Sequence, residues 1–318
     1  MQSHINQDLG YGEIDFNYIF RVIKESRKIL FSIIAVFAAI SLVIALILPN
    51  KYTADLVLAP TELENGGLSD ALSQLDGFAS LAGVSLGSGE GFDTRIALQI
   101  MRSWQFVEDF IEDNNLQVKI YAVSGWDEEE NRLVIDGDIY DNESNQWLLE
   151  DDNNQLIEPT SWELYQRFLE MLTITSDETS GLITLSVTYY SPHIAKELVD
   201  LYFKSINNHM QNRKLDKVNI NIEYLQAQIE KTPLTEMHEA FYTIIEEQLK
   251  VKMISEATPE HTFVVVSPSM VAEKKSSPMR VVFVLIGAII GLFFSMLIIF
   301  TLDFQRQRKA KTVEISQA

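Results

Sequence analysis

The stretch "RVVFVLIGAIIGLFFSMLIIFTL", residues 280–302, carries no charge after Arg280, and "ILFSIIAVFAAISLVIALIL", residues 29–48, carries none at all. At a helical rise of about 1.5 Å per residue, ~20 residues reach roughly 30 Å, the thickness of a bilayer's hydrocarbon core. A helix buried in a soluble protein keeps a polar stripe. Here Ser32, Ser41, Ser295 and Thr301 are the polar side chains of the two runs. The first run is long for a signal-peptide core, and Leu48-Pro49-Asn50-Lys51 offers no small-x-small cleavage pattern. Both runs therefore read as transmembrane helices. They divide the chain into a segment 1–28, a span 29–48, a body 49–280, a span 281–302 and a tail 303–318.

Orientation follows from the cations beside the spans. Arg21, Lys24, Arg27 and Lys28 precede the first, and Arg306, Arg308, Lys309 and Lys311 follow the second. Lys51, Lys274, Lys275 and Arg280 flank the body, so the bias favours both ends in the cytoplasm. The chain's formal charge is −20; the two end segments sum to +2, leaving −22 on the body. Such a body is repelled by anionic lipid heads and by nucleic acid, so no nucleic-acid partner is expected. The chain has no cysteine and hence no disulfide framework.

The body reads as two regions, a base over 51–191 and 257–270 and a helical region over 193–256. Before it, "IDFNYIFRVIKESRK" (14–28) reads as an amphipathic helix leading into the first span. "KYTADLVLAP" (51–60) sets Tyr52, Ala54, Leu56 and Leu58 against polar neighbours, the pattern of a half-buried strand. Residues 66–91 read as one short helix and a glycine-rich flexible loop; without Gly-Lys-Ser/Thr they cradle no phosphate. Residues 92–116 read as one amphipathic helix, 117–160 as short strands beginning with "QVKIYAV", and 158–172 as a further helix. Two strands over 172–191 turn at Gly181, so the base is of α/β (α+β) class.

From 193 to 256 there is no glycine and one proline. Val218, Ile222, Leu225 and Ile229 form a stripe that Met237, Phe241, Ile244 and Gln248 continue. One straight helix of that length would run roughly 90 Å, beyond the width of a compact domain. Thr232 reads as an N-cap with Pro233 at the first helical position, so the helix kinks there or folds into a hairpin. A hairpin lets the two stripes cover each other; a kink leaves them to other subunits. "HTFVVVSP" (261–268) is one more strand, and Pro268 and Pro278 shape an extended connection to the second span. The strands at 51–60 and 261–268 follow and precede the two spans closely, which makes them candidates for neighbours in one sheet.

Catalytic patterns are missing. His4, His193, His209, His238 and His261 are scattered, and "HEAFY" lacks the second histidine of a zinc pair. Tyr140 occupies the position where a calcium loop starting at Asp136 would need a ligand. There is no Gly-x-Ser-x-Gly, and no thiol. No catalytic, cofactor or metal residue is assigned, and the protein is read as a non-enzyme. Gly287 and Gly291 are the specific feature: a Gly-x-x-x-Gly inside an apolar helix lets another helix approach closely.

These pieces, in order, resemble the Wzz-type chain-length determinants. The resemblance rests on "EIDFNYIFRVIKESRKI", "LPNKYTADLVLAP", "RIALQIMRSWQFVEDFIEDNNL", "GLITLSVTYYSPHIAKELVDLYFKSINNHMQNR" and "FVVVSP…SSPMR". It implies an inner-membrane polysaccharide co-polymerase with cytoplasmic ends and a periplasmic base that carries long helices. A homo-oligomer would then work with a membrane-bound polymerase to set the length of a lipid-linked polysaccharide. The family's membrane-proximal segment is proline-rich; Pro268 and Pro278 match it, and the stretch between them does not. With no nucleotide-binding domain in this chain, the resemblance points to the kinase-free O-antigen type. Two alternatives stay open: an activator of a separate tyrosine kinase in capsule or exopolysaccharide export, and a two-span ligand sensor.

Overall fold

The computed structural model describes residues 26–61, 90–150, 155–258 and 262–317. Of the helix expected over 14–28 and the loop over 66–91, residues 14–25 and 66–89 lie outside the described residues. Two compact units form, one from the chain ends up to Pro49 and from Pro278 on, the other from Asn50 to Ser277. Helix α1 (Arg27–Ile47) opens the first unit.

The second unit begins with β1 (Tyr52–Pro60), whose Ala54, Leu56 and Leu58 are buried on one face. Helices α2 (Glu90–Ile100) and α3 (Trp104–Asp113) follow, where the periodicity suggests one continuous helix. The break at Met101–Ser103 needs no glycine or proline, because tertiary partners take its polar groups. Tyr202 Oη–H donates to the Met101 carbonyl, and Tyr165 Oη–H to the Arg102 carbonyl at 2.9 Å. The Arg102 guanidinium donates to the carbonyl of Ile174 at 2.6 Å, and Ser103 then caps α3 by accepting from Phe106 N–H.

"QVKIYAV" is also corrected: Gln117–Tyr121 is a short helix, α4, and the strand β2 (Val123–Asp127) starts after it. Tyr189 Oη–H donates to the Lys119 carbonyl at 2.6 Å, which fixes α4 onto the sheet. Strand β3 (Arg132–Ile135) pairs with β2. Two further pairs are two residues long per strand: β4 (Tyr140–Asp141) with β5 (Gln146–Trp147), and β6 (Leu149–Glu150) with β7 (Leu156–Ile157). Helix α5 (Ser161–Met171) opens on a capping box between Thr160 and Glu163. Strands β8 (Leu172–Ser176) and β9 (Ile183–Tyr189) form a hairpin whose turn places Gly181 at φ +70°, a backbone region open to glycine and costly for most side chains.

Helix α6 (Pro192–Lys231) packs on β1 and β9, and α7 (Thr235–Ala257) returns along it. The pairing is antiparallel: Gln211 Nε2–H donates to the Ser255 carbonyl at 2.5 Å, and Lys252 Nζ–H to Asn219 Oδ1 at 2.9 Å. The helical region is thus a hairpin. Thr232 closes α6 and does not open α7, because Pro233 lies in the link and the carbonyl of Thr232 meets His238 Nε2 at 2.6 Å. Strand β10 (Phe263–Ser267) completes an antiparallel sheet of order β10-β1-β9-β8, so the base is α+β and the strands expected near the two spans are neighbours.

Asn207, 3 % exposed, holds the start of β10. Its Nδ2–H donates to the carbonyl of Phe263 and its Oδ1 accepts from Phe263 N–H, both at 3.0 Å. One side chain so replaces a strand partner for a buried backbone. The core gathers around Tyr202, whose ring lies 4.8–5.4 Å from those of Phe106, Phe110 and Phe168. Helix α8 (Arg280–Gln317) returns to the first unit and continues beyond the apolar stretch.

Tyr202→Phe leaves the carbonyl of Met101 unpaired and is expected to cost about 1–3 kcal/mol. Tyr202→Ala also opens a cavity and is expected to cost about 3–5 kcal/mol. Denaturant unfolding of the detergent-solubilised chain checks both, and an unchanged stability of Tyr202→Phe would show that the hydroxyl contributes nothing.

Candidate functional site

In the first unit α1 and α8 lie antiparallel, with Gly287 opposite Ser41 and Gly291 opposite Phe37 and Ile34. A Cβ on Gly287 would stand 2.6 Å from Ser41 Cβ; one on Gly291 would stand 2.9 Å from Phe37 Cβ and 3.1 Å from Ile34 Cα. No side chain fits there without moving one helix, and Phe37 stacks on Phe294 with ring centroids 5.5 Å apart. The glycines therefore face this chain's own first helix. The outward faces are bare, with Ile47 77 % and Val281 73 % exposed. Mean hydropathies of 3.0 and 2.9 make both helices long and apolar enough to cross a membrane.

In the second unit the two ends of the chain segment are clasped. Lys51 N–H donates to the Ser277 carbonyl at 2.9 Å, and Ser276 N–H to the Lys51 carbonyl at 2.8 Å. Thr53 Oγ1–H donates to Ser276 Oγ at 2.8 Å, and Lys275 Nζ–H to Asn50 Oδ1 at 3.1 Å. Tyr52, half-buried, meets Trp126 edge-on at 5.7 Å, and the Lys51 ammonium sits 5.3 Å from the Tyr190 ring. Pro278 is buried, while Pro268 is exposed and follows β10 directly. Sequence reasoning placed the two strands side by side and missed the clasp, because its partners are ordinary Lys, Thr and Ser residues.

In the hairpin, Val218 is buried and Ile222, Leu225 and Ile229 are half-buried on α6. On α7 half of the expected stripe is sheltered: Phe241 and Gln248 are half-buried, while Met237 and Ile244 are 43 % and 41 % exposed. Phe241 and Gln248 share one sheltered line with His238, Ile245, Lys252 and Ser255. Their alternating steps of three and four are those of a coiled-coil seam. Its polar members carry the cross-links to Thr232, Asn219 and Gln211, which is why apolar periodicity alone found only part of it. Ile220, Tyr224, Tyr242, Met253 and Ile254 stay more than half exposed on the outside.

No cluster of potential metal ligands exists among the described residues. Asp136 Oδ1 accepts from Asp138 N–H at 3.0 Å, closing a turn. His209 lies edge-on to Phe106 at 5.2 Å, and its partial burial lowers its pKa. His193 stands apart from it on an exposed turn of α6, and His4 and His261 lie outside the described residues. Burial pushes the hydroxyls of Tyr189 and Tyr202 far up, so both stay neutral hydrogen-bond donors.

Among the described residues an open cleft of about 690 Å³ lies in the second unit, between α6 and β10. Lys196, Glu197, Asp200 and Lys204 form the α6 wall, and Pro268 and Ser269 stand opposite. The sequence gives no warning of it, because the solvated face of a helix and one wall of a cleft carry the same residue types.

The family model described as "Wzz: Chain length determinant protein" matches residues 12–113. Over those residues the chain carries the signature of the chain-length determinants. No curated protein matches the chain. Among solved structures, similarity is found to a "full-length bacterial polysaccharide co-polymerase", at 11 % identity and a TM-score of 0.37, over 93 % of this chain and 98 % of that one. It is also found to a "Fragment of WzzB, Polysaccharide Co-polymerase from Salmonella Typhimurium", at 11 % identity and a TM-score of 0.33, over 72 % of this chain and 100 % of that one.

Gly287→Leu and Gly291→Leu are expected to force α1 and α8 apart at an overpacking cost of about 1–3 kcal/mol. Thermal melting of the detergent-solubilised chain, followed by circular dichroism, reads this. Unaltered melting of both variants would mean that the close approach contributes no stability.

Proposed function

We propose that this chain is a non-catalytic polysaccharide co-polymerase that sets the length of a lipid-linked polysaccharide, with O-antigen as the substrate class. It stands in the bacterial inner membrane on α1 and α8, with both ends in the cytoplasm and residues 50–277 in the periplasm. It acts as a homo-oligomer that scaffolds a membrane-bound polymerase. The observation that carries this reading is the extent of the family match. Residues 12–113 run through the first apolar helix into β1, α2 and α3, and so take in both an anchor and part of the buried base.

Two features support the oligomeric part. The hairpin extends from the base with its outer apolar side chains uncovered, Ile220 and Met253 at 65 % and 68 % exposure among them. Their burial against neighbouring copies would contribute ~25 cal/mol per Å² of apolar surface. The clasp supports the scaffolding part: the unit is closed on itself at the two points where the chain leaves for the membrane, so it can bear on both anchors as one body. Oligomer geometry then limits how long a growing glycan stays engaged.

Deleting the gene in the source cell is expected to remove the preferred length from its lipopolysaccharide ladder on a gel, and restoring it to bring the preference back. An unchanged ladder would overturn the reading.

Orientation has its own test, since the chain lacks cysteine. Lys51 and Ser277 form an antiparallel bridge, and such pairs place Cα atoms about 5.5 Å apart, within disulfide reach. The double variant Lys51→Cys, Ser277→Cys is expected to cross-link within the chain in growing cells without added oxidant. The bacterial cytosol would keep the thiols reduced. A variant that stays reduced in cells, and closes readily once purified and oxidised, would place this face in the cytoplasm.

A further inference from the structure

We propose that the cleft between α6 and β10 is a sugar-binding subsite, which contacts hydroxyl-rich rings of the glycan; this rests on the functional reading above. The floor is apolar, with Leu56, Phe203 and Val265. The wall is charged and already ordered. Asp200 Oδ2 pairs with Lys196 Nζ at 2.6 Å, and Asp200 Oδ1 accepts from Ser269 Oγ–H at 2.5 Å. Ser269 is only 6 % exposed, so the carboxylate is gripped from the far side of the cleft, yet its side chain keeps 42 % exposure. Glu197 is steadied in the same way by Lys119 at 3.3 Å.

That chemistry selects among ligand classes. A phosphate or other anion would meet two carboxylates, and an apolar ligand would strip water from four charges. A pyranose answers both halves. Its hydroxyls donate to fixed carboxylates and accept from ammonium groups, while its C–H face lies on aromatic and aliphatic floor. Carboxylates already ordered by neighbours lose little freedom when a hydroxyl arrives. About 690 Å³ falls inside the ~300–1,000 Å³ range of pockets that hold ligands of a few rings. The opposite wall, Pro268 and Ser269, belongs to the strand-end segment that runs on to the clasp at Ser277. A bound ring would therefore touch the connection to the second span.

The test uses the full chain in nanodiscs. The probes are oligosaccharides of one to three repeats, released by mild acid from the source cell's own polysaccharide, read by saturation-transfer NMR and titration. Wild type is expected to bind. Asp200→Asn, which keeps shape but loses a charge-assisted hydrogen bond, is expected to weaken binding about tenfold. Phe203→Ala, which removes the floor, and Lys204→Met, on the exposed rim, are expected to weaken it as well. Unchanged melting of Lys204→Met separates lost binding from lost fold. No binding by wild type, or binding at the wild-type level by all three variants, would overturn the subsite. So would a change in oligomer size with binding intact, which would assign the cleft to a subunit contact. A ladder that responds to gene deletion beside a chain that binds no oligosaccharide sinks the subsite alone; a ladder that ignores the deletion sinks the functional reading as well.

Discussion

A chain read as crossing a membrane twice must hand its outer domain back at the surface where it took it up. In this protein that constraint is met by backbone hydrogen bonds between Lys51 and Ser276–Ser277, a few residues inside the two apolar helices. From the clasp the consequences run inward. The first and last strands of the base, β1 and β10, are antiparallel neighbours, so the sheet closes the loop that the anchors demand. Loop-closure entropy grows only logarithmically with length, so everything between Pro60 and Phe263 can be elaborated at modest further cost. The helical hairpin is the largest such elaboration.

Helix α6 serves two environments in turn. Its first half buries Ala195, Leu198, Val199, Tyr202 and Ile206 in the base. Beyond Met210 its cross-links among the described residues run to α7, and the sheltered side passes to Gln211, Val218, Ile222 and Leu225. The inward face thus follows first a globular core and then a two-helix seam, whose repeats drift against each other by ~20° per heptad. The polar links Gln211–Ser255 and Asn219–Lys252 fix the register of that seam, which apolar contacts alone would leave free to slide.

How much of this was legible depended on whether the signal was local. Length and absence of charge gave the two apolar helices; alternation gave β1; a glycine turn gave β8–β9; the stretch 158–172 gave the helix α5. What stayed hidden was decided from afar. The break at Met101–Ser103 carries no helix breaker and exists because Tyr202, Tyr165 and Ile174 take its polar groups. "QVKIYAV" is rich in β-formers, yet Tyr189 binds its backbone as a helical turn. On α7 Phe241 and Gln248 of the expected stripe are sheltered, but Met237 and Ile244 are exposed while Lys252 and His238 are sheltered, so counting apolar residues placed only half of the seam. The cleft was invisible for the same reason: Lys196, Glu197, Asp200 and Lys204 look like any solvated helix surface until β10 is set beside them.

The glycine pair bears on what an assembly can be built from. Gly287 and Gly291 are spent on the contact with α1, where Ser41, Phe37 and Ile34 leave no room for a side chain. In the proposed assembly, contacts between copies along these helices would run through the outer faces, where bulky residues such as Phe31, Ile47, Ile289 and Phe293 are exposed. In lipid such side chains gain little by meeting, because lipid tails are as apolar as they are. In water the exposed Tyr224, Tyr242, Met253 and Ile254 of the hairpin gain much more from being covered. Under the proposed assembly, the drive to associate would therefore belong to the hairpin and not to the apolar helices. If copies assemble as proposed, the two apolar helices would confine them to one plane, all standing the same way up.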